Sequence, residues 1–221
     1  MEKGICVIIA AGEHFSRPQL ARPDDFVIAA DGGLTYTEKW NICPDLIVGD
    51  FDSLPYAPPT AEKTVTLPTE KDDTDMVAAL REGWERGFRN FHIYGGTGGR
   101  LDHTIANIQC LANLAKSGGR GLLIGQDTVI TAICQGTVTF PPNAEGTISV
   151  FAHSDTVTGV YERGLKYSLT DQTLSNTYPQ GVSNEFTGQS SSISVRTGTL
   201  IIIYPKSLWE GCPMIGDGGV P

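Results

Sequence analysis

The stretch from residue 44 to residue 53 reads PDLIVGDFDS. Its apolar part, residues 46–48, lacks the alternation of a half-exposed strand and predicts a strand covered on both faces, as in a parallel sheet. Asp50 and Asp52 follow directly and place two carboxylates at the end of that strand. In extended geometry the two side chains point to the same side, so they can share one cation.

Outside this stretch, the first half of the chain alternates apolar strand runs with helical patterns. Helical spacing over residues 76–88 and 101–115 separates such runs, which predicts an α/β domain with a mostly parallel sheet and flanking helices. After about residue 130 the segments become short, β-branched and separated by turn residues, which predicts an all-β sandwich. We therefore expect domains at 1–134 and 135–221, the second with a C-terminal tail.

Charge and cysteine content narrow the class of protein. The 221 residues carry a formal net charge of −9, which argues against binding to nucleic acid or to an anionic membrane surface. No apolar run reaches the length of a membrane-spanning helix. Five scattered cysteines without metal-ligand spacing indicate reduced thiols, so we expect a cytoplasmic protein.

Further aspartates follow the other predicted strands. Asp31 follows the second strand, Asp72 and Asp75 follow the fourth, and Asp102 follows the fifth. Ligands of open α/β sheets bind at the carboxyl ends of the strands, and clustered carboxylates there suit Mg²⁺. Each has a simpler interpretation: Asp31 fits a turn, while Asp72 or Thr74, and Asp102, fit helix caps. Together the aspartates favour a magnesium-dependent enzyme that transfers a phosphate-type group from a nucleotide.

Residues 95–100 read GGTGGR, between a predicted strand and a predicted helix. Backbone N–H groups of Gly98 and Gly99 could approach phosphate oxygens, and Arg100 could add a bidentate contact. The alternative is a flexible turn, which explains the glycines but explains Arg100 and Asp102 less well. The chain has no P-loop motif.

Six short motifs in their order along the chain resemble the thiamine pyrophosphokinase family. They are ADGG at 30–33, PDLIVGDFDS at 44–53, KDDTD at 71–75, GGRLDH at 98–103, GLKY at 164–167 and GVSNE at 181–185. The resemblance implies an α/β domain followed by a β sandwich, in a homodimer whose active site lies at the subunit interface. It implies that ATP and thiamine give thiamine diphosphate and AMP, with Mg²⁺ as cofactor.

The resemblance also implies roles for single residues. Its metal ligands would be Asp50, Asp52, Asp75 and Asp102. Asp31 and Asp72 would support this cluster, and Thr74 and Arg100, with the glycines at 98 and 99, would contact the triphosphate. Asp75, Asp102 and Arg100 are the catalytic candidates, and either aspartate could remove the alcohol proton.

On the thiamine side, Tyr167 would stack on the cationic ring system, and Ser183 and Asn184 would hydrogen-bond the substrate. A half-buried sandwich tyrosine and a turn before a strand are the alternatives. The family often carries Trp where this chain has Tyr167, which makes the stacking role less secure.

Two other functions fit parts of the pattern. A phosphohydrolase could use the same carboxylates and Mg²⁺ to activate water, although it would not need a second ligand-binding domain. A non-catalytic sensor of a nucleotide or of thiamine diphosphate would need the pocket without the complete set of acidic residues. The complete set favours catalysis.

Overall fold

The structure is a computed structural model, and it describes residues 3–13, 16–18, 20, 23–50, 64–66 and 73–209, together with the backbone of 214–217. The chain forms two compact units. The first comprises residues 1–110 and 123–126, and the second comprises residues 111–122 and 127–221. The boundary predicted between 134 and 135 remains a prediction.

The first unit is built on parallel strands. In chain order they are β1 Cys6–Ile9, β2 Phe26–Ala30, β3 Leu46–Gly49, β4 Thr64–Thr66 and β5 Asn90–Tyr94, with the end of β6 Arg120–Ile124 beside β5. Strand β1 lies between β2 and β5, and β3 lies between β2 and β4, all in parallel pairs. Four of these strands are buried almost throughout, since both faces carry apolar side chains (β1, β2, β3 and β6).

Three helices accompany these strands: α1 Gly33–Lys39, α2 Asp75–Glu85 and α3 Leu101–Lys116. Helix α2 begins behind Thr74, whose hydroxyl accepts a hydrogen bond from the Val77 N–H at 3.3 Å. Such an N-cap stabilises a helix by about 1 kcal/mol. Within the described ranges, none of the helices has both the length and the apolar character needed to cross a bilayer.

The second unit is antiparallel. One run of strands has the order β12 Gly181–Glu185, β9 Thr147–Ala152, β14 Thr199–Pro205 and β7 Thr128–Cys134. A separate sheet has the order β11 Leu169–Ser175, β10 Thr156–Arg163, β13 Ser191–Ser194, β8 Gly136–Phe140 and β15 Met214–Asp217. The predicted fold class, a mostly parallel α/β part followed by a β sandwich, is confirmed.

Apolar residues that alternate along the strands fill the core of the second unit. Phe140 lies 5.2 Å from Tyr204 and 5.2 Å from Phe186 between ring centroids, with edge-on geometry in both pairs. Such pairs add about 1 kcal/mol beyond the area they bury. Glu162 of β10 is a carboxylic acid that is buried as deeply as Phe140 and Tyr204.

Candidate active site

The ends of β2 and β3 bring two predicted site residues onto neighbouring strand ends. The Asp31 N–H donates to the Val48 carbonyl at 2.8 Å. A side chain at Gly49 would come within 3.1 Å of the Asp31 Cα, so glycine permits this close approach. Asp31 also has a φ of 46°, a left-handed conformation that is uncommon for a residue with a side chain and is often found at functional sites. Asp50 follows directly on β3.

Asp75 is the first residue of α2, where the helix N-terminus favours negative charge. Its neighbour Asp73 forms an exposed ion pair with Arg81 at 2.7 Å. Thr74 caps helix α2, as one of the two interpretations of this residue predicted; the other is a contact with the triphosphate. Asp52 and Asp72 lie outside the described residues.

The glycine-rich loop after β5 is joined to the loop after β1. The Gly12 N–H donates to the Gly95 carbonyl at 2.8 Å, and the Glu13 N–H donates to the Thr97 carbonyl at 3.2 Å. The Glu13 carboxylate accepts a hydrogen bond from the Gly99 N–H at 3.1 Å. Gly98 and Gly99 have φ values of 80° and 61°, so glycine is needed at both positions. The loop therefore exposes a backbone N–H that already attracts an anionic group.

Arg100 and Asp102 bind each other at the start of α3. The guanidinium donates through Nη2 to Oδ2 at 2.6 Å and through Nε to Oδ1 at 3.2 Å. These hydrogen bonds lower the pKa of Asp102 below its ordinary value and raise the pKa of Arg100. Both side chains are largely exposed, at 72% and 64%. Water screens such a pair and makes it weak, so a polyphosphate and a cation can replace its contacts.

The residue types at these strand ends fit Mg²⁺, because carboxylate oxygens are the hard ligands that it prefers. Asp31, Asp50 and Asp75 supply such oxygens from the ends of two parallel strands and the start of a helix. In the part of the chain that the structure describes, no three His, Cys, Asp or Glu side chains gather closely enough to hold a metal ion. The predicted set of ligands also includes Asp52 and Asp72. The described residues therefore fit Mg²⁺ by the type of ligand atom they offer. We call these six aspartates, Asp31, Asp50, Asp52, Asp72, Asp75 and Asp102, the acidic rim.

In the second unit, hydrogen bonds join two segments that are distant in sequence. The Lys166 N–H donates to the Glu185 carbonyl at 3.0 Å, and the Lys166 ammonium pairs with the Glu185 carboxylate at 2.6 Å. The Thr187 hydroxyl donates to the Gly164 carbonyl at 3.0 Å. A further bridge joins Leu165 and Phe186. We call residues 164–167 and 184–187 the β clamp.

Asn184 is the centre of the β clamp. Its Oδ1 accepts from the backbone N–H of Tyr167 at 3.0 Å and of Glu185 at 2.9 Å. Its Nδ2 donates to the Tyr167 carbonyl and to the Glu162 carboxyl, both at 2.7 Å. An asparagine amide has two acceptor and two donor positions, and all four are used within the protein. Asn184 is also only 5% exposed, so it holds Tyr167 in place and has no position left for a ligand.

Tyr167 and Ser183, two of the residues predicted to contact the substrate, are exposed. The Tyr167 side chain is 60% exposed, and the Lys166 ammonium lies 5.4 Å from its ring centroid in a cation–π arrangement. Ser183 has a φ of 61° at an irregularity in β12, and its N–H donates to the Ser149 hydroxyl at 3.0 Å. The irregularity leaves Ser183 exposed while its neighbour Asn184 is buried.

Comparison with known proteins decides the family. The family model described as the thiamin pyrophosphokinase catalytic domain matches residues 18–121, and the one described as the thiamin pyrophosphokinase vitamin B1 binding domain matches residues 136–202. The chain belongs to the thiamin pyrophosphokinase family. The known reaction of this family is the transfer of a diphosphate group from ATP to thiamine.

Individual thiamin pyrophosphokinases agree with this assignment. The chain is 28% identical over 205 residues to thiamine pyrophosphokinase of Bacillus subtilis, covering 89% of this chain and 96% of the relative. A crystal structure of that enzyme has a TM-score of 0.79 at 26% identity and covers 93% of this chain and all of the other. The thiamin pyrophosphokinase structure from Geobacillus thermodenitrificans gives 0.78 at 29% identity, with coverages of 92% and 98%.

Two residues that contact candidate site residues have no role predicted from the sequence. Glu13 follows the first strand, and the glycine-rich loop gives no sequence signal that Glu13 is its partner. Glu162 did carry a signal, because it follows Val157 and Val160 at an inward-facing position of a β-branched run. An acid at an apolar position of a strand indicates a buried hydrogen-bonding role.

Proposed function

We propose that this chain catalyses the Mg²⁺-dependent transfer of diphosphate from ATP to the hydroxyl of thiamine, giving thiamine diphosphate and AMP. The observation that carries the proposal is the match of both domains of one family to consecutive parts of the chain, 18–121 and 136–202. The geometry supports it, because the first part contains the acidic rim and the second contains the β clamp. ATP and thiamine are accordingly its two substrates.

The acidic rim is proposed to hold the metal. Asp50, Asp52, Asp75 and Asp102 are the proposed ligands, with Asp31 and Asp72 as supporting charges. When bound, Mg²⁺ neutralises charge on the phosphates, which is the main requirement of phosphoryl transfer. The positive φ of Asp31 and its contact with the end of β3 support its place beside Asp50.

The phosphates are proposed to bind at the glycine-rich loop, Thr74 and Arg100. Arg100 exchanges its contact with Asp102 for phosphate oxygens, which leaves the Asp102 carboxylate available to the cation. Both side chains are exposed, so this exchange requires no disruption of packing. The Gly98 N–H then faces the polyphosphate, and Gly99 lies in the same loop with its own N–H held by Glu13.

The chemical step needs one proton acceptor. The thiamine hydroxyl oxygen attacks the β-phosphorus, the bond from that phosphorus to the bridging oxygen of the α-phosphate breaks, and AMP leaves with that oxygen. The hydroxyl proton passes to a carboxylate, and Asp75 and Asp102 are both candidates. The Arg100 contact lowers the pKa of Asp102, which makes Asp102 a weaker base while the pair is intact.

Thiamine is proposed to bind at the exposed face of the β clamp. The Tyr167 ring offers a cation–π surface to the positively charged heterocycle, and the Ser183 hydroxyl offers a hydrogen bond. The sequence predicts a direct contact between Asn184 and the substrate. We propose an indirect role instead, because protein groups occupy all four hydrogen-bonding positions of its amide.

The enzyme is proposed to be a homodimer with its active site at the subunit interface. Mixing an Asp75→Asn subunit with a Tyr167→Ala subunit tests this directly. If one site draws the acidic rim and the β clamp from different subunits, hybrid dimers contain one undamaged site and activity returns on mixing. No recovery after exchange of subunits, verified by mass, would contradict the shared site.

A cytoplasmic location is proposed from the chemistry of the thiols. Cys6, Cys43, Cys110 and Cys134, the cysteines within the described ranges, are reduced thiols. The formal charge of −9 supports a protein that binds neither nucleic acid nor membrane surfaces.

Product analysis tests the proposed function against its two rivals. Purified protein is incubated with Mg-ATP, with and without thiamine, and nucleotides and thiamine esters are separated by chromatography. AMP and thiamine diphosphate that appear only with thiamine support the proposal. ADP and phosphate without thiamine would indicate a hydrolase, and tight thiamine binding without turnover would indicate a sensor.

A further inference from the structure

Glu162 is a carboxylic acid in the interior of the second unit. It is 1% exposed, and on the same strand Val157 and Val160 are fully buried. Burial raises the pKa of Glu162, while the hydrogen bond from Asn184 lowers it by less. Burying an acid is costly unless it is hydrogen-bonded, so the contacts of Glu162 indicate what it does.

The Glu162 contact with Asn184 links strands β10 and β12 of different sheets in this unit. The Asn184 amide has only one orientation that suits its surroundings. Two N–H groups, of Tyr167 and Glu185, face its Oδ1, whereas the Tyr167 carbonyl and the Glu162 carboxyl face its Nδ2. A rotated amide would place donor against donor and acceptor against acceptor. Glu162 therefore receives the one Asn184 N–H that no backbone group accepts.

We propose that Glu162 is a positioning residue for the substrate side of the site: through Asn184 it fixes the backbone of Tyr167, whose ring is presented at the surface. The proposal rests on the proposed function for the identity of the substrate, thiamine. It assigns Glu162 no contact with that substrate, because its side chain is buried. Its effect on binding passes through the two Asn184–Tyr167 hydrogen bonds.

The second carboxyl oxygen determines the best conservative variant. Within the described residues, Glu162 Oε1 is buried and has no hydrogen-bond partner, while Oε2 receives the Asn184 N–H. A neutral acid meets these surroundings at lower cost than a carboxylate. Glutamine has the same length and also offers one oxygen acceptor, so Glu162→Gln should preserve the Asn184 contact. Glu162→Leu removes it at similar volume.

The experiment compares steady-state constants for both substrates in these variants. Glu162→Leu should raise the thiamine KM by about tenfold, because a buried N–H of Asn184 loses its partner. Its kcat and ATP KM should stay within about threefold of the wild-type values, since the acidic rim is unchanged. Glu162→Gln should keep all three constants within about threefold of wild type.

Asp171→Asn provides a matched control in the same unit, outside the β clamp. It removes an exposed ion pair with Arg196, so the thiamine KM should change by less than about twofold. An unchanged thiamine KM in Glu162→Leu would overturn the proposal. So would a fall in kcat with both KM values altered alike. If Glu162→Leu does not fold, Glu162→Asp is used, whose shorter chain should raise the thiamine KM similarly.

A second readout separates this proposal from the proposed function. The Tyr167 amide proton should exchange with solvent about tenfold faster in Glu162→Leu than in wild type, and unchanged in Glu162→Gln, because Asn184 Oδ1 protects it. If wild-type protein makes no thiamine diphosphate but this exchange pattern holds, the proposed function fails and the positioning of Tyr167 stands. Equal exchange in all three proteins would overturn the positioning role.

Discussion

The acidic rim and the β clamp are held in opposite ways. Arg100 and Asp102 at the rim are exposed and bind each other, so a ligand can exchange their contacts. Asn184 of the β clamp and Glu162, which it contacts, are buried, and every hydrogen-bonding position of Asn184 is already used. We propose that a polyphosphate and a cation reorganise the charges of the rim. The β clamp is proposed to be a preformed support for a less highly charged substrate.

This contrast predicts that rim substitutions change rate with little change in stability. Asp75→Asn should lower kcat by at least roughly 100-fold, or about 2.7 kcal/mol, because it removes a charge that stabilises phosphoryl transfer. Asp102→Asn should have a similar effect. Steady-state kinetics with saturating Mg-ATP and thiamine measures both.

The control for Asp75 is Asp73→Asn at the same helix entrance. It breaks only the exposed pair with Arg81 and should leave kcat within about twofold, since exposed pairs contribute little. Near-normal kcat in Asp75→Asn and Asp102→Asn would remove both residues from the catalytic role. The free energy of unfolding of each of the three variants should lie within about 0.5 kcal/mol of the wild-type value.

Substitutions in the β clamp should mainly lower stability, in contrast to those in the acidic rim. Asn184→Ala should lower the free energy of unfolding by about 2–3 kcal/mol, because it leaves the Glu162 carboxyl and backbone groups of Tyr167 without their partner. Denaturant titration measures this. Asn176→Ala, which loses an exposed hydrogen bond to Asp155, should cost less than about 0.5 kcal/mol. Equal losses in the two variants would refute the difference between buried and exposed amides.

Glu13 tests whether the rim contains a preformed element of its own. Glu13→Ala should raise the ATP KM about fivefold, corresponding to about 1 kcal/mol for one hydrogen bond to the Gly99 N–H. The effect is limited because the backbone bonds from Gly12 and Glu13 to the loop remain. Glu13→Gln keeps a hydrogen-bond acceptor, so its ATP KM should lie between those of the wild type and Glu13→Ala. A lower ATP KM in Glu13→Ala would instead show that the carboxylate occupies a phosphate position.

The smallest expected effect is the contribution of the buried Glu162 carboxyl to the pH dependence of stability. The pKa of Glu162 is raised in the folded protein by burial, so wild-type stability should fall as pH rises from the unfolded carboxyl value of about 4.3 through the folded value. Nearby charges are engaged elsewhere: Lys166 pairs with Glu185, and Arg163 lies over the Tyr161 ring.

Glu162→Gln cannot ionise and should lack this decline. Its stability relative to wild type should therefore increase with pH over that window, as measured by urea unfolding between about pH 4 and pH 8. Parallel curves for the two proteins would show that Glu162 has the same pKa folded and unfolded.

The sequence predicts the parallel strands well, because a buried apolar run gives a direct signal. Residues 26–30 and 46–48 fall on β2 and β3, and the helical spacing over 76–88 falls on α2, which begins directly after its Thr74 cap. Strand β11 gives a weaker signal, because it is mostly exposed and has no hydrophobic alternation.

Candidate site residues can be proposed from the sequence where they directly follow a strand. Asp31 and Asp50 follow β2 and β3, so sheet geometry places them at neighbouring strand ends. The four contacts of Asn184 depend on residues 162, 167 and 185, which are brought together only by the fold. Helix α1 was also missed, since only Gly33, Leu34 and Thr37 of its seven residues are buried.

Transfer of an intact diphosphate requires two phosphates to move together from ATP to thiamine. This transfer is measured most directly with ATP labelled at the β-phosphorus, supplied with Mg²⁺ and thiamine to the purified protein. We expect the label to enter thiamine diphosphate in an amount equal to the AMP formed, and neither product to form without thiamine. Label that stays in ADP, or that appears in inorganic phosphate without thiamine, would contradict it.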